Sequence, residues 1–349
     1  MALLATGCGV AASPAATPPV CTGVVSPNRL GAIHFLKRNV GLGLTLPAPH
    51  CGPMLAISRD GGRDWVTEGT PLAGDSRVEH LIATSTQDAW AAVGNGRLMS
   101  TTDGGTTWAA ETPRGQTVAL ARAGRTLWML ECFGPADTCF SVLLRKALPD
   151  GVWTLSSTKL AHGISAALAE AGAATILVSA GSQIVIVRDS RRRFTELSDP
   201  TWMGQPCFPA GLAAAGHGWW LICLGGAAAG SSAKVLFHTT DGGARWSIVS
   251  QVRSLTAPPQ PGAITREEPD ALVAASPSRL WLAALNNLFV STDGGARWSR
   301  IRGPDPQGYP ASFDVLSPTH AWLLAAGQGV WRTTDGRHWH ALGPVAVSP

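Results

Sequence analysis

The chain alternates short apolar runs with glycine-rich polar breaks from about residue 28 to residue 343. Five of the runs share a shape: a few apolar residues, a tight polar turn, then a second apolar run carrying tryptophan. They read TSTQDAWAA, ARAGRTLWML, AAAGHGWWLICL, AASPSRLWLAAL and LSPTHAWLLAAG, which places Trp90, Trp128, Trp220, Trp281 and Trp322 at equivalent positions. Runs this short, bounded by turn residues, predict strands and not helices. An acidic turn also recurs along the chain, as SRDGGRDW at 58–65, TTDGGTTW, TTDGGARW, STDGGARW and the shorter TTDGRHW, the last four each downstream of one of these tryptophans. The unit therefore reads as four strands, with the first tryptophan on the second strand and the acidic turn joining the third to the fourth.

Weaker versions of the turn, PDGVW at 149–153 and RDSRRRF at 188–194, fall where the period of roughly 46 residues needs them. Self-similar antiparallel units at this period predict blades arranged radially. The expectation is an all-β chain forming a seven-bladed β-propeller of four-stranded antiparallel blades. Residues 1–27 would form a signal and tether, 28–343 a single propeller, and 344–349 a tail. The stretch 210–230 lacks Asp, Glu, Lys and Arg and has the length of a membrane span. Its Gly216-His217-Gly218 break falls in phase with the other turns, so it is read as two buried strands.

The acidic turns carry their own explanation. An Asp side chain accepts hydrogen bonds from main-chain N–H groups one or two residues on, glycine tolerates positive φ, and the following tryptophan packs between sheets. The positions are Asp60, Gly62 and Trp65; Asp103, Gly105 and Trp108; Asp241, Gly243 and Trp246; Asp293, Gly295 and Trp298; and Asp335 with Trp339. They are read as scaffold, because a catalyst or metal ligand is not needed once per blade.

The pattern Ser or Thr, any residue, Asp, any residue, Gly, two residues, Trp resembles the Asp-box, or BNR, repeat of sialidase-superfamily propellers. The resemblance implies the fold. It leaves the activity open, since the repeat serves sialidases, xyloglucan-cleaving hydrolases, sorting-receptor ectodomains and photosystem II assembly factors alike. A sialidase would need a tyrosine nucleophile with a glutamate partner and an arginine in an early Arg-Ile-Pro motif. That motif is absent, and the one tyrosine, Tyr309, has no nearby glutamate. Motifs of the GxSxG, HExxH and GxGxxG kinds are missing too. Glu79, Glu170, Asp270 and Asp314 are the acidic positions on strands predicted to line the centre.

Charge and cysteine refine the picture. A formal net charge of +4 without a basic stripe argues against nucleic acid. The start, MALLATGCGVAASPAATPPV, resembles a bacterial lipoprotein signal with Cys8 as the lipidated residue. Removing Cys8 from the seven cysteines leaves six, and the hairpins favour Cys132–Cys139, Cys207–Cys223 and, by exclusion, Cys21–Cys51. Both features suit an exported protein.

Irregular segments concentrate opposite the acidic turns: 133–137 and 225–233 between second and third strands, and 198–209, 253–270 and 303–311 between units. Variation on a rigid scaffold is where binding resides, so Trp202, Met203, Arg266, Glu267, Glu268 and Tyr309 are the candidate contacts. His338 and His340 are read as a surface pair. The functional expectation is a monomeric, non-catalytic binding or assembly propeller for a protein or glycan of the cell envelope, without cofactor or metal, touching membrane only through a lipid anchor. The alternative is a glycoside hydrolase or lyase with unidentified carboxylates.

Overall fold

The computed structural model describes residues 21–48, 51–72, 78–94, 96–111, 115–134, 139–156, 160–162, 166–170, 175–180, 183–188, 193–196, 201–202, 205–206, 208–254, 260–285, 287–301, 311–325 and 329–343. Apart from the single 3-10 turn Pro27–Arg29, the named elements are strands. Their innermost members are Leu30–Lys37, Val78–Ala83, Gln116–Ala123, Ala166–Glu170, Phe208–Ala215, Pro269–Ala274 and Ala311–Ser317. Each of these touches the next, and the last touches the first, so the sheets close into a ring around a channel. Within each of these sheets the four principal strands pair antiparallel, in sequence order from the channel outward.

The expectation of a seven-bladed propeller of four-stranded blades is corrected, both in the number of blades, which is six when a blade is counted by its described core, and in the number of strands. Five sheets have four strands and two have five, and a separate two-stranded ribbon joins Thr201–Trp202 to Gln205–Pro206. In the first sheet the extra strand is Gly23–Val25, which covers the outer edge by pairing with Trp65–Thr67. In the third it is Leu160–His162, which pairs with Phe140–Ala147. Only six blades have cores made of described side chains, because in the sheet beginning at Ala166 just Leu168 and Ala169 are described. Equal blades would require equal chain between turns; a pre-blade segment with its own β-pattern and a segment that follows the short fourth strand Thr154–Leu155 instead add strands where unpaired N–H and C=O groups accept them.

Apolar stretch 210–230 contributes the paired strands Phe208–Ala215 and Gly218–Ala228. Among the described residues no helix is long and apolar enough to cross a membrane. The expected loop at 225–233 is mostly strand as well, since Gly218–Ala228 pairs with Ser231–Thr239 up to a turn at Ala229 and Gly230. Between blades, apolar faces interlock as separate clusters. One joins Trp220, Ile222 and Leu236 to Leu280, Leu282 and Trp298, and another joins Phe35, Trp65 and Ile33 to Trp322, Leu324 and Leu342.

Two disulfides are formed as expected, Cys21–Cys51 and Cys132–Cys139, with Cα atoms 5.9 and 5.5 Å apart. Cys223 is disulfide-bonded, while Cys207 lies outside the described residues, as does Cys8.

Candidate functional site

The repeated aspartates are engaged with their own turns. Asp60 Oδ1 accepts from the N–H groups of Arg63 and Asp64 at 2.9 and 3.1 Å, and from the Ser58 hydroxyl at 2.9 Å. Asp103, Asp241 and Asp293 each accept from the N–H four residues on, at 2.8, 3.0 and 2.8 Å. In the shorter copy Asp335 accepts from Arg337 and His338, both at 2.8 Å. The expected reach of one or two residues is thus corrected in the full copies. Paired glycines such as Gly61 and Gly62, with φ of 81° and 99°, coil the chain back so that the fourth N–H meets the carboxylate. At Gly62 a Cβ would also press on Leu342 and Phe35 at 3.0 and 3.1 Å.

These bonds hold several turn carboxyls below the ordinary range. For Asp335 the causes are the main-chain and side-chain bonds of His338. For Asp103 they are the bonds of Thr107, and for Asp241 the main-chain bond of Arg245. The turn tryptophans follow the scheme in part. Trp65 and Trp298 are buried, with each indole donating to its own turn's glycine carbonyl at 2.9 Å. His338 Nδ1 lies 2.6 Å from Asp335 Oδ2, so it belongs to its turn and not to a pair with His340.

The channel holds a cavity of about 890 Å³, lined from Ala32 to Lys37, from Glu79 to Ile82, from Thr84 to Thr86, from Leu120 to Arg122 and from Ser312 to Leu316. A second cavity of about 550 Å³, lined by Ala213 to Gly216, Leu272 to Ala275 and Val315 to Ser317, lies on the other side. Both reach the ends of the innermost strands where these turn into the second strands, which is the face of the acidic turns. Leu316 borders both cavities and is 38% exposed. It sits on a β-bulge between Val315 and Ser317, and Leu36 sits on another between Phe35 and Lys37. A bulge breaks the in-out alternation and re-aims a side chain, here at the cavity lip on two neighbouring strands.

Of the acidic positions picked out in the sequence, Asp314 and Glu79 line this cavity. Asp314 Oδ2 accepts the Phe35 N–H and lies 3.5 Å from His34 Nδ1. Burial pushes its carboxyl up, opposed by His34 and the main-chain N–H groups. His80, also in the lining, is held low by burial and bonds the Val118 carbonyl at 3.2 Å. The side chain of Glu170 is outside the described residues.

The candidates on the opposite face separate. Trp202 is buried, its indole donating to Gln251 Oε1 at 3.1 Å, which makes it a wedge against the fifth sheet. Met203 and Tyr309 lie outside the described residues. Arg266, Glu267 and Glu268 form a strap: Ser232 N–H donates to Arg266 O, Glu268 N–H to Gly230 O and Leu285 N–H to Glu268 O. Beneath it, fully buried Lys234 donates to the Glu267 carbonyl, and Asn287 Nδ2 donates to Glu267 Oε2 at 2.7 Å. Burial lowers the Lys234 ammonium to about 8 despite Glu268 and Glu267. Burial, with Glu268 adding to it, raises Asp270 to about 6. Sequence reasoning missed Lys234 altogether; a lysine among the apolar residues of AKVLF was the available signal.

Among the described residues no three His, Cys, Asp or Glu side chains are grouped to hold a metal ion. No protein-family model and no curated protein sequence matches the chain. Solved structures do resemble it. One described as YCF48 bound to D1 peptide aligns with a TM-score of 0.62 at 18% identity, covering 92% of this chain and 99% of that one. YCF48 from Cyanidioschyzon merolae aligns at 0.58 and 16%, covering 91% and 97%. The GH74 xyloglucanase from Xanthomonas campestris aligns at 0.60 and 15%, covering 92% of this chain but 56% of its own. At these identities the likeness establishes the propeller fold, which is the fold that the repeat resemblance implied.

Proposed function

We propose that this chain is a non-catalytic binding or assembly propeller whose partner is a protein. The observation that carries the reading is one of extent together with identity. This chain matches nearly end to end a propeller described with a bound peptide, at 18% identity; a streptogramin B lyase is matched over 94% of its length at the lower identity of 14%, and the xyloglucanase over about half its length. A ring with a cavity of about 890 Å³ at one end of its channel is a preformed receptor of the size that binding sites use. The cavity favours the acidic-turn face over the irregular one, where Trp202 and the 266–268 strap are built into the scaffold.

The disulfides support an exported protein. In this reading residues 1–27 are a signal and tether lipidated at Cys8, 28–343 are the working domain, and the propeller acts as a monomer at the outer face of the cell membrane. Affinity capture from an envelope extract, with a glycan array in parallel, tests the proposal. A captured protein with a silent array is the expected result. Turnover of a glycoside that Asp314→Asn abolishes would replace this reading with that of a hydrolase.

A further inference from the structure

Neighbouring sheets elsewhere in the ring are joined by chain, since the outer strand of one runs on to the innermost strand of the next. The last sheet, Ala311–Ser317 to Trp339–Leu342, meets the first without such a link. Many rings could close by letting one terminus supply a strand to the other terminus's sheet. Here, among the described residues, every strand of the first sheet comes from residues 23–67 and every strand of the last from 311–342.

Side chains do the fastening. At the channel, Asp314 of the last sheet holds the Phe35 N–H and faces His34. Further out, the Phe35 ring stacks on Trp322 with centroids 3.7 Å apart and planes 5° from parallel. The Trp322 indole donates across the seam to Gly61 O at 2.9 Å. Loss of these contacts opens the seam with no crossover to restrain it, while any other junction keeps a covalent tie. The channel cavity has walls on both sides of the seam, with His34 and Leu36 on one and Asp314 and Leu316 on the other.

We propose that the seam is a latch, at which the ring opens before it opens elsewhere, and that the channel cavity widens when it does. An occupant touching both walls holds the latch shut, so binding in the channel and closure of the ring are coupled. Opening at one seam also leaves the remaining sheets packed as an arc, because each keeps its interface with the next.

Native-state hydrogen exchange on the full chain tests this. The Phe35 amide reports the seam, and the Thr117 amide, which donates to Gly96 O at 3.0 Å between the second and third sheets, is the comparison. Phe35 is expected to exchange at least tenfold faster than Thr117, and Asp314→Ala to speed Phe35 further while leaving Thr117 unchanged. A cross-link gives the converse. A Cβ at residue 343 would stand 3.8 Å from Pro27 Cβ, the separation a disulfide needs. In a Pro27→Cys, Gly343→Cys variant, oxidised and reduced forms are compared with each other and with wild type treated alike. This cancels the cost of placing Cys at the φ of 89° found at Gly343. Oxidation is expected to slow Phe35 to the rate of Thr117 and to raise Tm. Equal exchange of the two amides in wild type, or uniform slowing on cross-linking, overturns the latch; if Asp314→Ala does not fold, the oxidised and reduced forms decide.

Discussion

A tryptophan indole buried on a second strand needs an acceptor, and for two of them the acidic turn of the next blade supplies it. Trp220 Nε1 donates to Gly294 O at 2.8 Å, and Trp322 Nε1 to Gly61 O at 2.9 Å, each reaching the acidic turn of the following sheet. Trp281 faces the turn that is one residue short, and its buried Nε1 has no partner among the described residues. The missing glycine of TTDGRHW thus shows itself one blade away. Trp220→Phe should lower stability by about 1 kcal/mol more than Trp281→Phe, because only the first removes a hydrogen bond; chemical denaturation of the two variants checks it. Asp270 offers a second test. Its carboxyl is raised to about 6, so the folded state holds a proton that the unfolded state releases. Its cost to stability is absent below the ordinary carboxylate range and fully present above pH 6. Asp270→Asn should therefore be more stable than wild type at pH 8 by about 1–2 kcal/mol, allowing for solvent screening of a half-buried group, and equal to it near pH 3. Thermal unfolding at the two pH values reads the difference. The acidic turns were legible in the sequence because their bonds are local; Lys234 and Glu111 were not, because their partners lie 33 and 35 residues away.

At the scale of strands and sheets, periodicity announced the elements and their order, and the aspartate-to-tryptophan spacing located the third and fourth strands. Strand number was harder to read. Edge additions such as Gly23–Val25 and Leu160–His162 depend on which open edge lies nearby, and short segments carry no mark of that. The tie between the second and third sheets was equally hidden. Glu111 accepts from Trp90 at 3.2 Å, Lys146 at 2.7 Å and Trp153 at 2.9 Å, joining the two sheets at one carboxylate. Burial pushes this carboxyl up, but Lys146 and the other donors outweigh it and hold it low. Its contribution is then present above the ordinary glutamate range and lost as pH falls below it. Glu111→Ala leaves Lys146 and two indoles without their acceptor. Its expected cost is about 3 kcal/mol at pH 7, with a shallower loss of stability in acid than wild type, both measurable by urea titration across pH.

For the whole molecule, the ring sorts its surfaces by what each is built to do. The irregular face, which variation in the sequence singled out, holds a buried tryptophan and a strapped crossover. The acidic-turn face, regular in sequence, carries both cavities and the exposed leucine between them. Cavities belong to the assembled ring and leave no local signature, and a bulged leucine reads in one dimension as another strand residue. The most direct test of a binding ring that works through its channel mouth compares capture of envelope protein by wild type with capture by two surface variants. Leu316→Arg charges the lip shared by the cavities, and Phe208→Arg charges a 61% exposed residue at the crossover end of the fifth sheet. The account predicts that Leu316→Arg loses the captured protein while Phe208→Arg retains it, with both variants folded by circular dichroism. Retention by Leu316→Arg together with loss by Phe208→Arg would contradict it.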